Sequence, residues 1–334
     1  MASAIPLLIC DDSSMARKQL IRSLPANWPF QVSQAENGLA GLEAIRACRG
    51  EVVLLDLTMP ELDGFGVLSR MREEGLRADV IVISGDVQDE AVRRALALGA
   101  RNFLRKPADA CELEAALLAL GKDFSPAPSG TPASATAHLP DVGFRDAFRE
   151  IANIAMGRAA ELLARVLGVF IRLPVPNVNI LEVGELQMAL ADAQGNQQVS
   201  AICQGYIGGG VAGEALLIFH DSEIGDVARL LNHQPGSYSQ LELQLDLAAI
   251  VIGACLNGIS EQLGIQLSSG HPLVLGQHCT IEELIRLNRP RWKQTLAVEI
   301  SYGLEDHDIK FDLMLLFTED SVPVLQKKVA YIIN

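Results

Sequence analysis

The sequence predicts an α/β protein of two domains. A doubly wound five-stranded parallel sheet comes first. An α+β domain follows, a pseudo-twofold duplication with an antiparallel sheet and long helices. Three observations predict this. Short β-branched runs alternate with amphipathic helical stretches five times over residues 5–121. A stretch rich in Pro, Ala, Ser and Thr, without apolar period, comes next. Residues 142–334 then match themselves at an offset of 96.

In the first domain, 1–121, the strands are expected at Pro6–Cys10, Phe30–Gln34, Val52–Leu57, Val80–Ser84 and Asn102–Leu104. The helical patterns between them are Ser14–Leu24, Leu39–Cys48, Phe65–Glu74, Asp89–Leu98 and Ala110–Leu120. Such a sheet gathers its functional groups at the carboxyl ends of its strands. Residues 122–141, with four prolines, read as a linker with a random-coil span of roughly 25 Å.

The duplicated domain, 142–334, divides into halves of about 142–237 and 238–334. Placing Ile151–Leu173 over Leu247–Ser269 aligns Ile154 with Ile250, Gly157 with Gly253, Leu167-Gly168 with Leu263-Gly264, and Pro176 with Pro272. The run ending at Phe219 is mirrored by the run ending at Phe317, and the helix Ser222–Leu231 by Ser321–Ala330. Each half is therefore a long helix, a β-hairpin and a short helix. Gly208-Gly209-Gly210 is expected to be a hairpin turn and not a phosphate loop, since no Lys stands in the Walker position.

The chain has 334 residues, is 49% apolar and carries a net charge of −14. That suits two ordinary cores and argues against disorder. No region is basic enough to coat a phosphate backbone and no helix-turn-helix pattern appears, so no nucleic-acid partner is expected. The start has no basic n-region, and the apolar run Leu247–Leu256 is too short to span a bilayer. A cytoplasmic protein without membrane insertion is the expectation. Six scattered cysteines with no C-x-x-C read as reduced and buried, and the dispersed histidines propose no metal site. Arg286, Arg289, Arg291 and Lys293 around Trp292 read as a solvated loop.

Chemistry is expected at two places. At the first, strand one ends in Asp11-Asp12, strand three in Asp56 and strand four in Ser84, while Lys106-Pro107 follows strand five. Three neighbouring carboxylates repel unless a cation sits among them, and oxygen ligands with open positions suit Mg²⁺. Asp56 is then placed to attack phosphorus, with Lys106 and Ser84 holding the other oxygens. No G-x-G-x-x-G follows the first strand, so a dinucleotide reading fails.

These positions, with the D-L-T-M-P-E-L-D-G run at 56–64 and Phe103-x2-Lys106-Pro107, resemble the receiver domain of two-component response regulators. The resemblance covers residues 5–121 and implies a sheet order of 2-1-3-4-5. It implies Asp56 as phospho-acceptor from a histidine kinase, Thr58 as a metal ligand through its backbone carbonyl, and Ser84 with Phe103 as a switch pair.

The second place is Asp146-x3-Glu150-x2-Asn153, followed after twenty-two residues by Pro176. At this spacing two acids and an amide share one helix face. An amide one turn from a carboxylate can hold a water and grip a cation together. The pattern, on a duplicated domain, resembles the CheC/CheX/FliY phosphatase family. That family's helix docks on a phosphorylated CheY-like receiver. The resemblance implies that Glu150 pairs with the receiver's lysine and Asn153 orients the attacking water, with Asp146 in a supporting role.

The second copy departs from the pattern. Glu242, Asp246 and Ala249 stand where the first has Asp146, Glu150 and Asn153. Alanine cannot hold a water, so one competent site is expected. The resulting expectation is a response regulator with a phosphatase output, acting on a separate CheY-type receiver in preference to its own Asp56. The alternatives are a non-enzymatic adaptor switched by phosphorylation and a self-dephosphorylating phosphate sink.

Overall fold

The computed structural model describes residues 4–122, 124, 138–181, 198–222, 224–231, 239–279 and 295–333. They form two compact units, Met1–Glu150 and Ile151–Asn334.

The first unit holds a five-stranded parallel sheet of order β2-β1-β3-β4-β5. Its strands are β1 (Ile5–Cys10), β2 (Phe30–Ala35), β3 (Val52–Leu55), β4 (Asp79–Ser84) and β5 (Asn102–Arg105). The helices between them are α1 (Ser14–Ser23), α2 (Gly38–Arg46), α3 (Gly64–Glu74), α4 (Asp89–Ala97) and α5 (Ala110–Leu118). The central strands are apolar along their length because helices cover both faces, and all four residues of β3 are buried. Polar residues start the helices: Ser13, Asn37, Asp63 and Asp109 each accept a backbone N–H of the first turn. Strand β3 ends at Leu55, two residues earlier than the sequence suggests. There the Leu57 N–H turns to the Asp56 carboxylate, at 2.8 Å, and leaves the ladder.

Two residues assigned by composition to the linker have partners in this unit. Phe124 is buried, stacked on Trp28 at 4.5 Å and tilted against Phe30 at 5.5 Å. Lys122 reaches Glu51 at 2.8 Å and Asp79 at 3.0 Å. Most of the remaining linker lies outside the described residues.

Helix α6 (Phe144–Leu167) begins in the first unit and runs into the second. The second unit continues with β6 (Ile171–Arg172), β7 (Asn177–Leu181), β8 (Val199–Gly208), β9 (Val211–His220) and α7 (Ile224–Leu230). The same order then recurs as α8 (Gln240–Leu263), β10 (Ser268–Ser269), β11 (Leu273–Cys279), β12 (Thr295–Leu304), β13 (Lys310–Phe317) and α9 (Ser321–Ile333). Helices α6 and α8 have 24 residues each, and strands β8 and β12 have 10 each.

All these strands join one antiparallel sheet of order β10-β8-β9-β13-β12-β6, with β11 also on β8 and β7 also on β12. The two hairpins meet at β9 and β13. The short strands cross over: β6 and β7 pair with the second hairpin, β10 and β11 with the first. Gly209 and Gly210 make the two-residue turn of the first hairpin at φ of 58° and 82°, which residues with a Cβ rarely adopt.

The apolar run Leu247–Leu256 lies inside α8, which is long and apolar enough to cross a membrane by length and composition. That corrects the length argument drawn from the run alone. Within the fold, 67% of the relevant window is buried, as in the core helix of a folded domain. Cys10, Cys203 and Cys255 are buried as expected, but Cys48, just beyond α2, and Cys111, in the first turn of α5, are exposed. The Arg286–Lys293 cluster lies outside the described residues.

Phe124→Ala should destabilise the first unit by about 3–5 kcal/mol, the usual cost of emptying a buried phenyl site. Urea unfolding followed by the emission of Trp28 measures this as a lower midpoint. An unchanged midpoint would show that Phe124 adds nothing to that core.

Candidate functional site

The carboxyl ends of β1, β3 and β5 bring their charged side chains together in the first unit. Asp11 and Asp12 follow β1, Asp56 follows β3, Ser84 closes β4 and Lys106 follows β5. The backbone prepares each position. Asp11 Oδ1 accepts the Ser13 N–H at 2.9 Å, and Asp56 Oδ1 accepts that of Leu57 at 2.8 Å. Gly64 lets the 56–64 loop close over the strand end, since a Cβ there would stand 2.3 Å from the Asp56 carbonyl oxygen.

Lys106 lies at the centre, buried at 6% exposure. Its Nζ is 2.7 Å from Asp11 Oδ2, 3.2 Å from Asp56 Oδ2 and 3.1 Å from Glu150 Oε1. Glu150 belongs to the same unit, in the second turn of α6. Two other side chains of the first two turns of α6 have partners here. Asp146 Oδ2 accepts from Ser14 Oγ at 2.5 Å and from the Met15 N–H at 3.2 Å. Arg149 Nη2 lies 3.1 Å from Asp146 Oδ1 and 3.5 Å from Asp12 Oδ2.

Burial and like charge dominate the electrostatics. Desolvation drives the Asp56 carboxyl well above its usual range, Asp11 and Glu150 add to this, and Lys106 opposes it. Glu150 is pushed up to about 7 by burial, against the pull of Lys106. Asp12 is pushed up to about 6 by burial and by Asp11, with Arg149 pulling down. Burial alone would depress the Lys106 ammonium, but Asp11, Asp56 and Glu150 outweigh it and hold it well above its usual value.

Asp11, Asp12 and Asp56 each offer a carboxylate oxygen, all within 4.8 Å of one another. Asp11 Oδ2, Asp56 Oδ2 and Lys106 Nζ are buried, and their ion-pair contacts lack the directionality of hydrogen bonds. Among the described residues, four carboxylates, counting Glu150, have ion-pair contacts with two cations, Lys106 and Arg149. Hard oxygen donors, unsatisfied lone pairs and surplus negative charge fit a divalent cation of the Mg²⁺ type.

The other expected residues are Thr58, Ser84, Phe103 and Asn153. Thr58 is buried two positions beyond Asp56. Ser84 is fully buried, its Oγ accepting the Asp86 N–H at 3.1 Å. Phe103 is half-buried on β5, opposite Val82. Asn153 follows Glu150 by three residues on α6, lies in the second unit and is buried.

Sequence reasoning passed over Ser14, Arg149 and Arg17. Arg17 is buried and donates to the Asp11 carbonyl oxygen at 2.7 Å, bracing the first acid of the cluster. The available signal was weak in each case: a charged residue on the otherwise buried face of α1, and a cation three residues from Asp146.

The family "Response regulator receiver domain" matches residues 7–118. Chemotaxis protein CheY of Treponema pallidum is 34% identical over 105 residues, 31% of this chain and 73% of that protein. A protein-glutamate methylesterase/protein-glutamine glutaminase of Rhodospirillum rubrum is 37% identical over 102 residues, 30% of this chain but only 28% of the relative's length. The crystal structure of Thermotoga maritima FliY aligns with 58% of this chain and all of that chain, at 18% identity and a TM-score of 0.41, too loose a superposition to bear on activity. Sheet order, acidic cluster and matched residues agree: through residues 7–118 this chain belongs to the response regulator receiver family.

Proposed function

We propose that this chain is a response regulator whose output, residues 142–334, is a CheC-like phosphatase. It takes a phosphoryl group from a histidine kinase onto Asp56 and hydrolyses the aspartyl phosphate of a CheY-type receiver, in chemotaxis or a related two-component system. The observation that carries this reading is the contact of Glu150 Oε1 with Lys106 Nζ at 3.1 Å, beside Asp56. The signature carboxylate thus engages the lysine that would hold a phosphoryl oxygen.

In phosphorylation, the Asp56 carboxylate attacks phosphorus while Lys106 and Ser84 hold the equatorial oxygens. Mg²⁺, held by Asp11, Asp12, Asp56 and the Thr58 carbonyl, supplies charge neutralisation for those oxygens when bound. Ser84 and Phe103 form the pair that reports the new charge to the surface. In hydrolysis of the partner receiver's aspartyl phosphate, Glu150 pairs with that receiver's lysine and the Asn153 amide aims a water in line with the bond between phosphorus and the carboxylate oxygen. The protein adds no nucleophile of its own, only position and field.

The recurrence of element order at an offset of 96 supports an internal duplication, and the exposure of the second copy supports a single competent site. Glu242 is exposed and caps its own helix by accepting the Ser239 N–H at 3.2 Å. Asp246 and Ala249 are also exposed, and neither supplies an amide.

Chains phosphorylated at Asp56 by a small acyl phosphate test the catalytic assignment. Asn153→Ala should slow phosphate release by about 100-fold, the cost of losing one preorganised hydrogen-bonding group. Release at the wild-type rate would leave an adaptor as the better reading. Saturating Mg²⁺ should raise the melting temperature, about 2.7 kcal/mol of stabilisation at a hundred times Kd. Asp12→Ala should remove most of that shift, and its full retention would place the ion elsewhere.

A further inference from the structure

Arg17 carries a buried charge that the chemistry above leaves unused. It is 4% exposed, and its ion-pair partner among the described residues, Glu36, is 76% exposed. So exposed a partner offsets little of the cost of burying a guanidinium. Its other donors go to neutral oxygens, Nη1 to the Asp11 carbonyl at 2.7 Å and Nε to Gln34 Oε1 at 3.1 Å. Gln34 Nε2 in turn donates to the His138 carbonyl at 2.8 Å. All four residues belong to the first unit.

We propose that this chain of bonds is a relay, by which a cation among Asp11, Asp12 and Asp56 fastens the backbone at His138, near the end of the linker. Arg17 is its positioning residue and Gln34 carries its state outward. The inference rests on the Mg²⁺ reading above and names a regulation of that site.

The inner end acts on the metal ligands. The Asp11 carbonyl belongs to the peptide that joins Asp11 to Asp12. A guanidinium holding that oxygen fixes the plane of this peptide, and with it the directions in which both side chains start. The Asp11 N–H is held as well, by the Ala35 carbonyl at 3.1 Å. Outer partners of this kind set metal affinity by orienting the ligands. A planar fork reaches three acceptors at two strand ends together, which the single head of a lysine does not.

The outer end follows from donor logic. Arginine only donates and a backbone carbonyl only accepts. Joining them takes a group that does both, and the Gln34 amide is one. Its orientation follows, with oxygen toward Arg17 and nitrogen toward His138. Gln34→Glu would keep the first bond and lose the second.

The link at His138 is built to open. Two attachments to the edge strand β2 flank residues 125–137. Phe124 packs against Phe30 at the start of the strand, and Gln34 holds His138 near its end. These anchor points are about 13 Å apart along an extended strand. Closing a chain segment costs conformational entropy, and one exposed hydrogen bond offsets little of it. A small bias from the metal ligands therefore shifts the link between made and broken.

The test uses the full chain, with Mg²⁺ affinity from calorimetry and backbone hydrogen exchange over residues 138–143 from mass spectrometry. In wild type, saturating Mg²⁺ should slow that exchange about fivefold, a modest coupling between two sites. Gln34→Glu should abolish the slowing. Coupling is reciprocal, so this variant should weaken Mg²⁺ by no more than the same factor. Arg17→Lys should weaken Mg²⁺ about tenfold and abolish the slowing as well. Slowing that persists in Gln34→Glu would overturn the relay and assign the effect to another route, such as Asp12 through Arg149 to Asp146. So would Mg²⁺ binding to wild type that leaves the exchange unchanged, or a folded Arg17→Lys chain with wild-type affinity. In these cases the metal reading stands. Gln34 is half-buried, so its variant keeps the test decisive if Arg17→Lys does not fold. Wild type that binds no Mg²⁺ would remove the metal reading itself, and the relay with it.

Discussion

A buried ammonium among carboxylates is the constraint around which the first unit is organised. Lys106 is almost without solvent, yet three acidic oxygens lie within 3.2 Å of its nitrogen. Taking such charges out of water costs several kcal/mol per ion, so the arrangement persists only if every member has a counter-charge. The parallel sheet makes this possible. It delivers side chains from three strand ends to one point and fixes two of the carboxylates with backbone N–H groups. Even so, the acids outnumber the cations. Burial first, and the neighbouring acids after it, hold Asp56 well above its usual carboxylate range against the pull of Lys106.

Most of the first unit was legible in the sequence, because local pattern and tertiary role agree there. Apolar runs such as Val52-Val53-Leu54-Leu55 suit a strand covered on both faces, and Ser13, Asn37, Asp63 and Asp109 mark helix starts. The acids at the strand ends could be placed together because the topology leaves no other arrangement. Ser14 and Arg149 were not legible. A serine near a helix start reads as a cap, and an arginine on an amphipathic helix reads as solvated. Only the partner of each distinguishes it, and periodicity carries no information about partners. The same limit explains Phe124, an aromatic in a Pro-rich stretch whose role depends on Trp28 and Phe30.

The second unit shows the limit in another form. Its repeat could be read from the offset, and the helices and outer hairpin strands of the two halves keep it. The exchange of short strands between halves could not be read, since alternation fixes which face a residue occupies but not which strand it pairs with. The exchange has a mechanical consequence. Each half completes the sheet of the other, so neither half has a full sheet alone. Sequence can therefore drift on one helix face while the fold stays intact.

That freedom bears on the two long helices. In the second copy the acid at the first signature position has a local task, since Glu242 closes the capping box with Ser239. In the first copy Asp146 points instead at the N-terminus of another helix, where its charge meets unpaired donors. One carboxylate position thus serves either its own helix or a neighbour's. Which it does depends on the residue one turn onward. Glu150 reaches Lys106 and draws the turn into the pocket, whereas Asp246, one methylene shorter and without a buried cation, stays in solvent.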